Sequence, residues 1–181
     1  MPISDNTAQG LTGYPAYDMV RQMYNKLASA HTYFALNGVA STTVATTPLV
    51  DIATTATKVK TTNATVLRNA GALNALGATD NLWTLTGGVL AVASFRRYLL
   101  LVDASDTATV LASDDVTTAA ADCRWVTQPA NGLAIVGVVT VATDASTTFT
   151  PGTTNLSAAG ITDSYIDGWD ISVPLYDIVT P

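Results

Sequence analysis

The sequence predicts a mainly β protein, an antiparallel β-sandwich or barrel-like body preceded by one N-terminal amphipathic helix. Three observations predict it. Thr and Ala supply roughly a third of the 181 residues and Val is frequent; Thr and Val carry a branched Cβ that packs well on a pleated surface and loses entropy in a helix. Short apolar runs recur between turn signals such as Gly87-Gly88, Asn131-Gly132 and Pro151-Gly152. Only one stretch, residues 16–34, repeats its apolar residues with a helical period.

Residues 1–15 read as an arm broken by Gly10, Gly13 and Pro15. In the helix that follows, Ala16, Met19, Val20, Met23, Leu27, Ala30 and Phe34 form one apolar stripe, and Asp18, Arg21, Gln22, Asn25, Lys26 and Ser29 take the opposite face. Asp18 suits the positive end of the helix dipole, and Asn37-Gly38 is the stop signal. The chain therefore divides into an arm and helix over residues 1–38 and a β-rich body with an extended C-terminal segment over residues 39–181.

Within the body, residues 39–57 read as an extended connector with room for one strand. Strands are expected near residues 58–67, 81–86, 89–95, 97–103 and 108–113. Gly87-Gly88 predicts a two-residue hairpin that sets Leu85 against Leu90 and Trp83 against Val92. A turn at residues 104–107 predicts Leu101 against Val110 and Leu99 against Ala112, and further out Arg97 against Asp114 and Arg96 against Asp115. Residues 71–77, GALNALG, read as a loop, and residues 117–126 as a short helical turn. The run at residues 133–142 is apolar on both faces, which marks a central or doubly covered strand. Residues 171–179 alternate like a strand but contain Pro174, which cannot donate to a ladder. That segment belongs at an edge or crosses to another chain.

Composition narrows the function. Charged residues make up 12% of the chain, with 3 Lys and no Glu, against a usual share near 25%. A surface of Thr, Ala, Ser and Asn suits a subunit that buries much of itself against neighbours. A net charge of −6 and scattered basic residues argue against binding nucleic acid, since phosphate contacts need clustered Lys and Arg. The first ten residues lack the apolar core of a signal peptide. The longest apolar stretches, residues 98–102 and 133–139, are too short to span a membrane as helices. Synthesis and assembly in a cytoplasm is the expectation.

Chemistry has little to work with. The chain has one His, His31, beside the helical stripe, and one Cys, Cys123, which reads as a structural thiol. Two such residues cannot build a zinc site. Asp163, Asp167 and Asp170 in DSYIDGWD are oxygen donors of the kind Ca2+ takes, but their spacing does not match the helix–loop–helix calcium loop and no Glu closes it. They read as loop aspartates. No nucleotide-binding glycine pattern is present. The expectation is a non-enzyme with no catalytic, cofactor or metal site.

Several segments together resemble tailed-bacteriophage virion structural proteins. They are FRRYLLLVD from Phe95, Trp125 with Pro129, IVGVVTV from Ile135, FTPGTTNL from Phe149 and GITDSYID from Gly160. The resemblance covers roughly residues 80–168 and points to a head decoration or cement protein. It implies a homotrimer that binds the major capsid protein on the capsid exterior and joins neighbouring capsomers. Candidate protein-contact residues are Tyr14 in the arm, Met19, Met23, Leu27 and Phe34 in the helical stripe, and Val173, Leu175, Tyr176 and Ile178 near the C-terminus. The stripe has a second use, which is to pack on the chain's own β body. Two other classes compete with this assignment. One is a tail, neck or fibre component with a glycan-binding face, for which Trp169 is the aromatic to watch; the other is an Asp-based hydrolase.

Overall fold

The computed structural model describes residues 37–40, 49–125 and 129–168. They are mainly β, arranged as three antiparallel sheets. In chain order the strands are β1 (Gly38–Val39), β2 (Val50–Ile52), β3 (Lys58–Thr61), β4 (Thr65–Asn69), β5 (Ala72–Leu76), β6 (Trp83–Thr84), β7 (Phe95–Val102), β8 (Ala108–Ala112), β9 (Ala134–Thr143) and β10 (Ile161–Asp167). A single 3-10 turn, Ala120–Asp122, falls where a short helical turn is expected. The predicted helix at residues 16–34, the strand-like segment at residues 171–179, His31, Trp169 and Asp170 lie outside the described residues.

The largest sheet has the order β10-β9-β7-β8 and is flanked by β1-β4-β5 and β2-β3-β6. All three sheets contribute to one core. Tyr98, Leu100, Val102, Val136, Val139 and Val141 of the large sheet meet Val50, Val59 and Trp83 of one small sheet and Leu67 and Leu76 of the other. Leu90, Phe149 and Leu156 close this core from loops. On the other side of the large sheet, Leu99, Leu101, Ile135 and Val138 form a second cluster with Trp125. The two-faced apolarity of β9 thus reflects an interior strand with a core on each side.

A bulge makes that possible. Leu100 pairs with Gly137 but Leu101 with Ile135, so Val136 is an extra residue in β9. Val136 and Gly137 both face the first core, while Ile135 and Val138 face the second. Gly137 has no room for a side chain, since a Cβ there would come within 2.7 Å of Val50 Cγ2 and 2.9 Å of the Ile166 carbonyl oxygen.

The structure corrects four local expectations. Gly87-Gly88 does not turn a hairpin. Trp83 pairs with Val59, Leu90 bridges to Phe149, and Val92 is exposed. Long-range pairings into the core outweigh a local turn signal here. Residues 71–77 are not a loop, because β5 forms a hairpin with β4. Its turn residues Ala70 and Gly71 both have positive φ, 48° and 87°, as a type I′ turn requires. The single strand expected at residues 58–67 is two, β3 and β4, separated by a bend at Thr62-Asn63. The β7–β8 register is one residue off the expected one: Leu101 faces Thr109 and Leu99 faces Leu111. The Asp103 carboxylate accepts the N–H groups of Ser105 (2.7 Å) and Thr107 (2.9 Å), and Asp106 sits at φ 62°, so the loop closes on five residues rather than four.

Three buried polar side chains tie the sheets together. Asp167, at the end of β10, accepts the N–H groups of Leu49 (2.8 Å) and Val50 (3.2 Å) through one oxygen. Asn37 Oδ1 accepts from Ala70 N (2.8 Å) and Gly132 N (3.1 Å), while Asn69 Nδ2 donates to the Val102 and Gly132 carbonyls (2.9 Å each). Asp167→Ala would leave two buried N–H groups without an acceptor and is expected to cost about 2–4 kcal/mol, whereas Asp167→Asn keeps an oxygen there and costs less than about 1.5 kcal/mol. Urea unfolding of the two variants checks the difference.

The Ala70 turn offers a test in the opposite direction. An alanine Cβ is crowded at positive φ, and Asn-Gly is the preferred pair for this turn. Ala70→Asn is expected to raise stability by about 0.5–1 kcal/mol. That appears as a rise of roughly 1–4 °C in thermal unfolding for a domain of this size.

Candidate interaction surface

Residues 86–93 read Thr-Gly-Gly-Val-Leu-Ala-Val-Ala and contain no charged side chain. Val89 is 56% exposed and Val92 40%. Between them Leu90 is fully buried and exchanges backbone hydrogen bonds with Phe149 in both directions (2.8 and 3.1 Å). Besides the Leu90 carbonyl, three more carbonyls of the loop are braced by side chains. Arg96 Nη1 donates to Gly88 O, Thr143 Oγ1 to Ala91 O (2.6 Å) and Ser94 Oγ to Val92 O (3.0 Å). Ala93, at φ 49°, donates its N–H to Asp144 O (2.7 Å). Such bracing fixes a loop before it meets a partner, so little conformational entropy is left to lose on binding.

The anchor of this arrangement is Arg96, a buried residue of β7. Its guanidinium grips Asp115 with two hydrogen bonds, Nε to Oδ1 and Nη2 to Oδ2 (2.7 Å), and approaches the Tyr98 hydroxyl at 3.4 Å. Burial opposes the charge on Arg96, but the hydrogen bonds it donates to Asp115 and Tyr98 outweigh it and raise the pKa above the ordinary arginine value. Burial also raises the Tyr98 pKa, against the pull of Arg96. The Arg96–Asp115 pairing matches the sequence expectation through a local irregularity. Arg97 faces Ser113 while Phe95 faces Val116, so one extra residue brings Asp115 across to Arg96. The expected partner of Arg97, Asp114, instead accepts the Arg124 N–H through its carboxylate. Arg97 lies over the Trp125 ring, 5.0 Å from its centroid, and burial there lowers its pKa.

A second exposed apolar area lies on the outer side of the β4–β5 hairpin. Leu73 is 68% exposed opposite Arg68, and Val66 is 37% exposed opposite Ala75. Strand β5 ends its sheet, and an uncharged strand at a sheet edge invites pairing with another chain.

Several other ionisable groups among the described residues make structural contacts. Cys123 is buried with Sγ 3.5 Å from the Phe95 carbonyl, and burial raises its pKa, which suppresses the reactive thiolate. Asp163 and Asp167 stand four residues apart on β10, roughly 13 Å along a strand. Asp163 accepts the Tyr165 hydroxyl, and Asp167 is committed to the Leu49 and Val50 amides. Burial, reinforced by Asp163, holds the Tyr165 pKa far above the ordinary tyrosine value. Exposed Asp80, Asp103 and Asp144 have lowered pKa values because backbone N–H groups, of Thr54, Thr107 and Ser146 first of all, bond to their carboxylates. Among the described residues, no three His, Cys, Asp or Glu side chains converge on a metal-sized centre, and no helix is long and apolar enough to cross a membrane.

All nine residues expected from the sequence to contact a partner lie outside the described residues: Tyr14, Met19, Met23, Leu27, Phe34, Val173, Leu175, Tyr176 and Ile178. Val89 and Val92 were assigned to a hairpin strand by the Gly-Gly signal. What marks them in the sequence is an uncharged apolar stretch directly after two glycines. Comparison of the chain with family models, with curated proteins and with solved structures finds no match.

Proposed function

We propose that this chain is a non-enzymatic virion structural protein, a capsid decoration or cement protein of the tailed-bacteriophage kind. It binds the major capsid protein on the outer capsid surface and joins neighbouring capsomers. The carrying observation is the uncharged loop at residues 86–93, braced from beneath by Arg96 and Thr143 and presenting Val89 and Val92 to solvent. A rigid, neutral, apolar surface suits permanent contact with another protein surface and offers a substrate no group to react with. The resemblance over residues 80–168 supports the same assignment, and those residues build the whole of the large sheet. In this proposal the three sheets make a sandwich-like body and the protein acts as a homotrimer. A trimer that engages several capsid sites at once gains avidity through effective concentration rather than through stronger single contacts.

Co-sedimentation of the purified chain with bare expanded capsids tests the proposal. The native chain is expected to bind. The double variant Val89→Asp/Val92→Asp places charge on the contact surface and is expected to bind at least about tenfold more weakly, a loss of about 1.4 kcal/mol or more. Both substituted side chains are exposed, so thermal unfolding should change little. Failure of the native chain to bind capsids, or binding only to tails or host cells, contradicts the assignment.

A further inference from the structure

We infer that Asn131-Gly132 is a latent deamidation site, held in check by the side chain of Asn37. This inference is independent of the virion assignment. The sequence contains two Asn-Gly steps, Asn37-Gly38 and Asn131-Gly132, and the fold brings them together across 94 positions. An asparagine followed by glycine is prone to attack by its own backbone, because glycine has no Cβ to hinder the approach. The Gly132 nitrogen, losing its proton to water or hydroxide, attacks Cγ of Asn131. A C–N bond forms, the Cγ–Nδ2 bond breaks and ammonia leaves, closing a five-membered succinimide. Water then opens the ring on one side to aspartate or on the other to isoaspartate. The net change is one water consumed and one ammonia released. Asn131 is exposed to solvent, and a Cβ built on Gly132 would meet nothing within 4 Å, so no neighbour crowds the ring.

The native geometry restrains the reaction. Asn131 and Gly132 are the central residues of a turn closed by the Leu133 N–H on the Ala130 carbonyl (3.3 Å), with Gly132 at φ 90° and Asn131 at negative φ. That is a type II turn, in which the first central residue has ψ of about 120°. This ψ swings the Gly132 nitrogen away from the Asn131 carboxamide, so attack requires the peptide unit between them to rotate. Asn37 pins that unit. Its Oδ1 accepts the Gly132 N–H (3.1 Å) while its Nδ2 donates to Asn131 Oδ1 (3.3 Å). One carboxamide thus holds nucleophile and electrophile apart. The bond to Asn131 Oδ1 polarises the carbonyl carbon, but a nucleophile that cannot approach gains nothing from it. The clasp is itself anchored: Asn37 is fully buried and also accepts the Ala70 N–H (2.8 Å), and the Gly132 carbonyl accepts from Asn69 Nδ2 (2.9 Å). Reaction would undo its own restraint. The succinimide removes the Gly132 N–H, and isoaspartate inserts a backbone carbon just ahead of β9. Either change loosens Asn37, whose own step to Gly38 is the second reactive pair. Asn131 therefore reacts first and Asn37 follows.

Peptide mapping by mass spectrometry, on the full chain aged in mildly alkaline buffer, tests this. The reaction proceeds only from conformations in which both bonds to Asn37 are open, so its rate follows the population of that open state. Asn131 in the folded chain is expected to convert at least about tenfold more slowly than in the urea-unfolded chain, the factor that two hydrogen bonds of ordinary net strength produce. Equal rates overturn the inference. Asn37→Ala removes both bonds and is expected to raise the Asn131 rate several-fold while the chain remains folded by circular dichroism. A folded Asn37→Ala chain that converts at the native rate also overturns it, since the turn alone would then protect. If Asn37→Ala does not fold, Asn37→Asp decides. It keeps an acceptor for the Gly132 N–H and should hold Asn131 near the native rate; a rise to the unfolded rate contradicts the clasp. Conversion at Asn37 that precedes conversion at Asn131 in the native chain contradicts it as well.

Discussion

Asp115→Ala is expected to destabilise the protein by about 3–5 kcal/mol, more than truncating its better-buried partner. The asymmetry follows from where each charge sits. The Arg96 side chain is 6% exposed and that of Asp115 39%. Removing Asp115 strands a guanidinium in the interior with, among the described residues, the Gly88 carbonyl and the Tyr98 hydroxyl as its remaining acceptors. Arg96 cannot escape by losing its proton, since the guanidinium stays charged at any accessible pH. Arg96→Met fills similar space with an apolar chain and leaves Asp115 free to hydrate, so it is expected to cost only about 1–2 kcal/mol. Arg96→Lys should be worse than its charge suggests, because an ammonium cannot reproduce the two-pronged grip on Asp115. Denaturant unfolding of Asp115→Ala and Arg96→Met side by side checks the order. Equal losses, or a larger loss for Arg96→Met, would show that the pair is solvated and braces nothing.

Trp83→Ala is expected to produce a loss of similar size, about 3–5 kcal/mol. The indole is fully buried among residues from all three sheets, and its Nε1 donates to the Leu101 carbonyl at 2.9 Å. Alanine leaves a cavity bordered by several elements that cannot all move to fill it. Trp83→Phe separates the two contributions. It keeps much of the volume but orphans the Leu101 carbonyl, and should cost about 1–3 kcal/mol. Midpoints of thermal unfolding should fall by roughly 2–4 °C per kcal/mol for a domain of this size. Trp83→Ala falling no further than Trp83→Phe would mean that the hydrogen bond, rather than the packing of the three sheets, carries the effect.

Much of the β body was legible from sequence because it rests on signals carried by adjacent residues. The apolar runs at residues 97–103 and 133–142 became β7 and β9, the two interior strands, and Gly132 and Gly152 turn the chain at positive φ. Trp83 was recognisable as core. The failures lie where distant partners decide. Gly87-Gly88 carries a strong hairpin signal, but Leu90 is claimed by Phe149, nearly sixty residues away. β5 looked like a loop because its Ala and Asn have low strand propensity and Gly71 and Gly77 flank it, and only pairing with β4 makes it a strand. β10 gave no warning either, since its alternation of Thr, Asp, Ser and Tyr resembles a polar loop until β9 is beside it. The one-residue error between β7 and β8 came from the Asp103 carboxylate, which enlarges the loop by a residue, and a second irregularity at residues 113–116 restored the Arg96–Asp115 contact.

The candidate surface was harder still to read. Val89 and Val92 look like strand residues in sequence, Val92 on the apolar face, and their exposure follows from Arg96, Ser94 and Thr143 holding the loop's carbonyls outside any ladder. Asp167 read as an ordinary loop aspartate, one of three close together in sequence. Its acceptor role toward Leu49 and Val50 involves residues more than a hundred positions away, which no local pattern announces.

Electron microscopy of the native particle, at a resolution that traces this chain, tests the central claim most directly. The account predicts density for the β body on the outer capsid surface, bridging adjacent capsomers about a threefold axis, with the loop bearing Val89 and Val92 against the major capsid protein. Finding the chain in the tail or neck, or finding it absent from the particle, would contradict it.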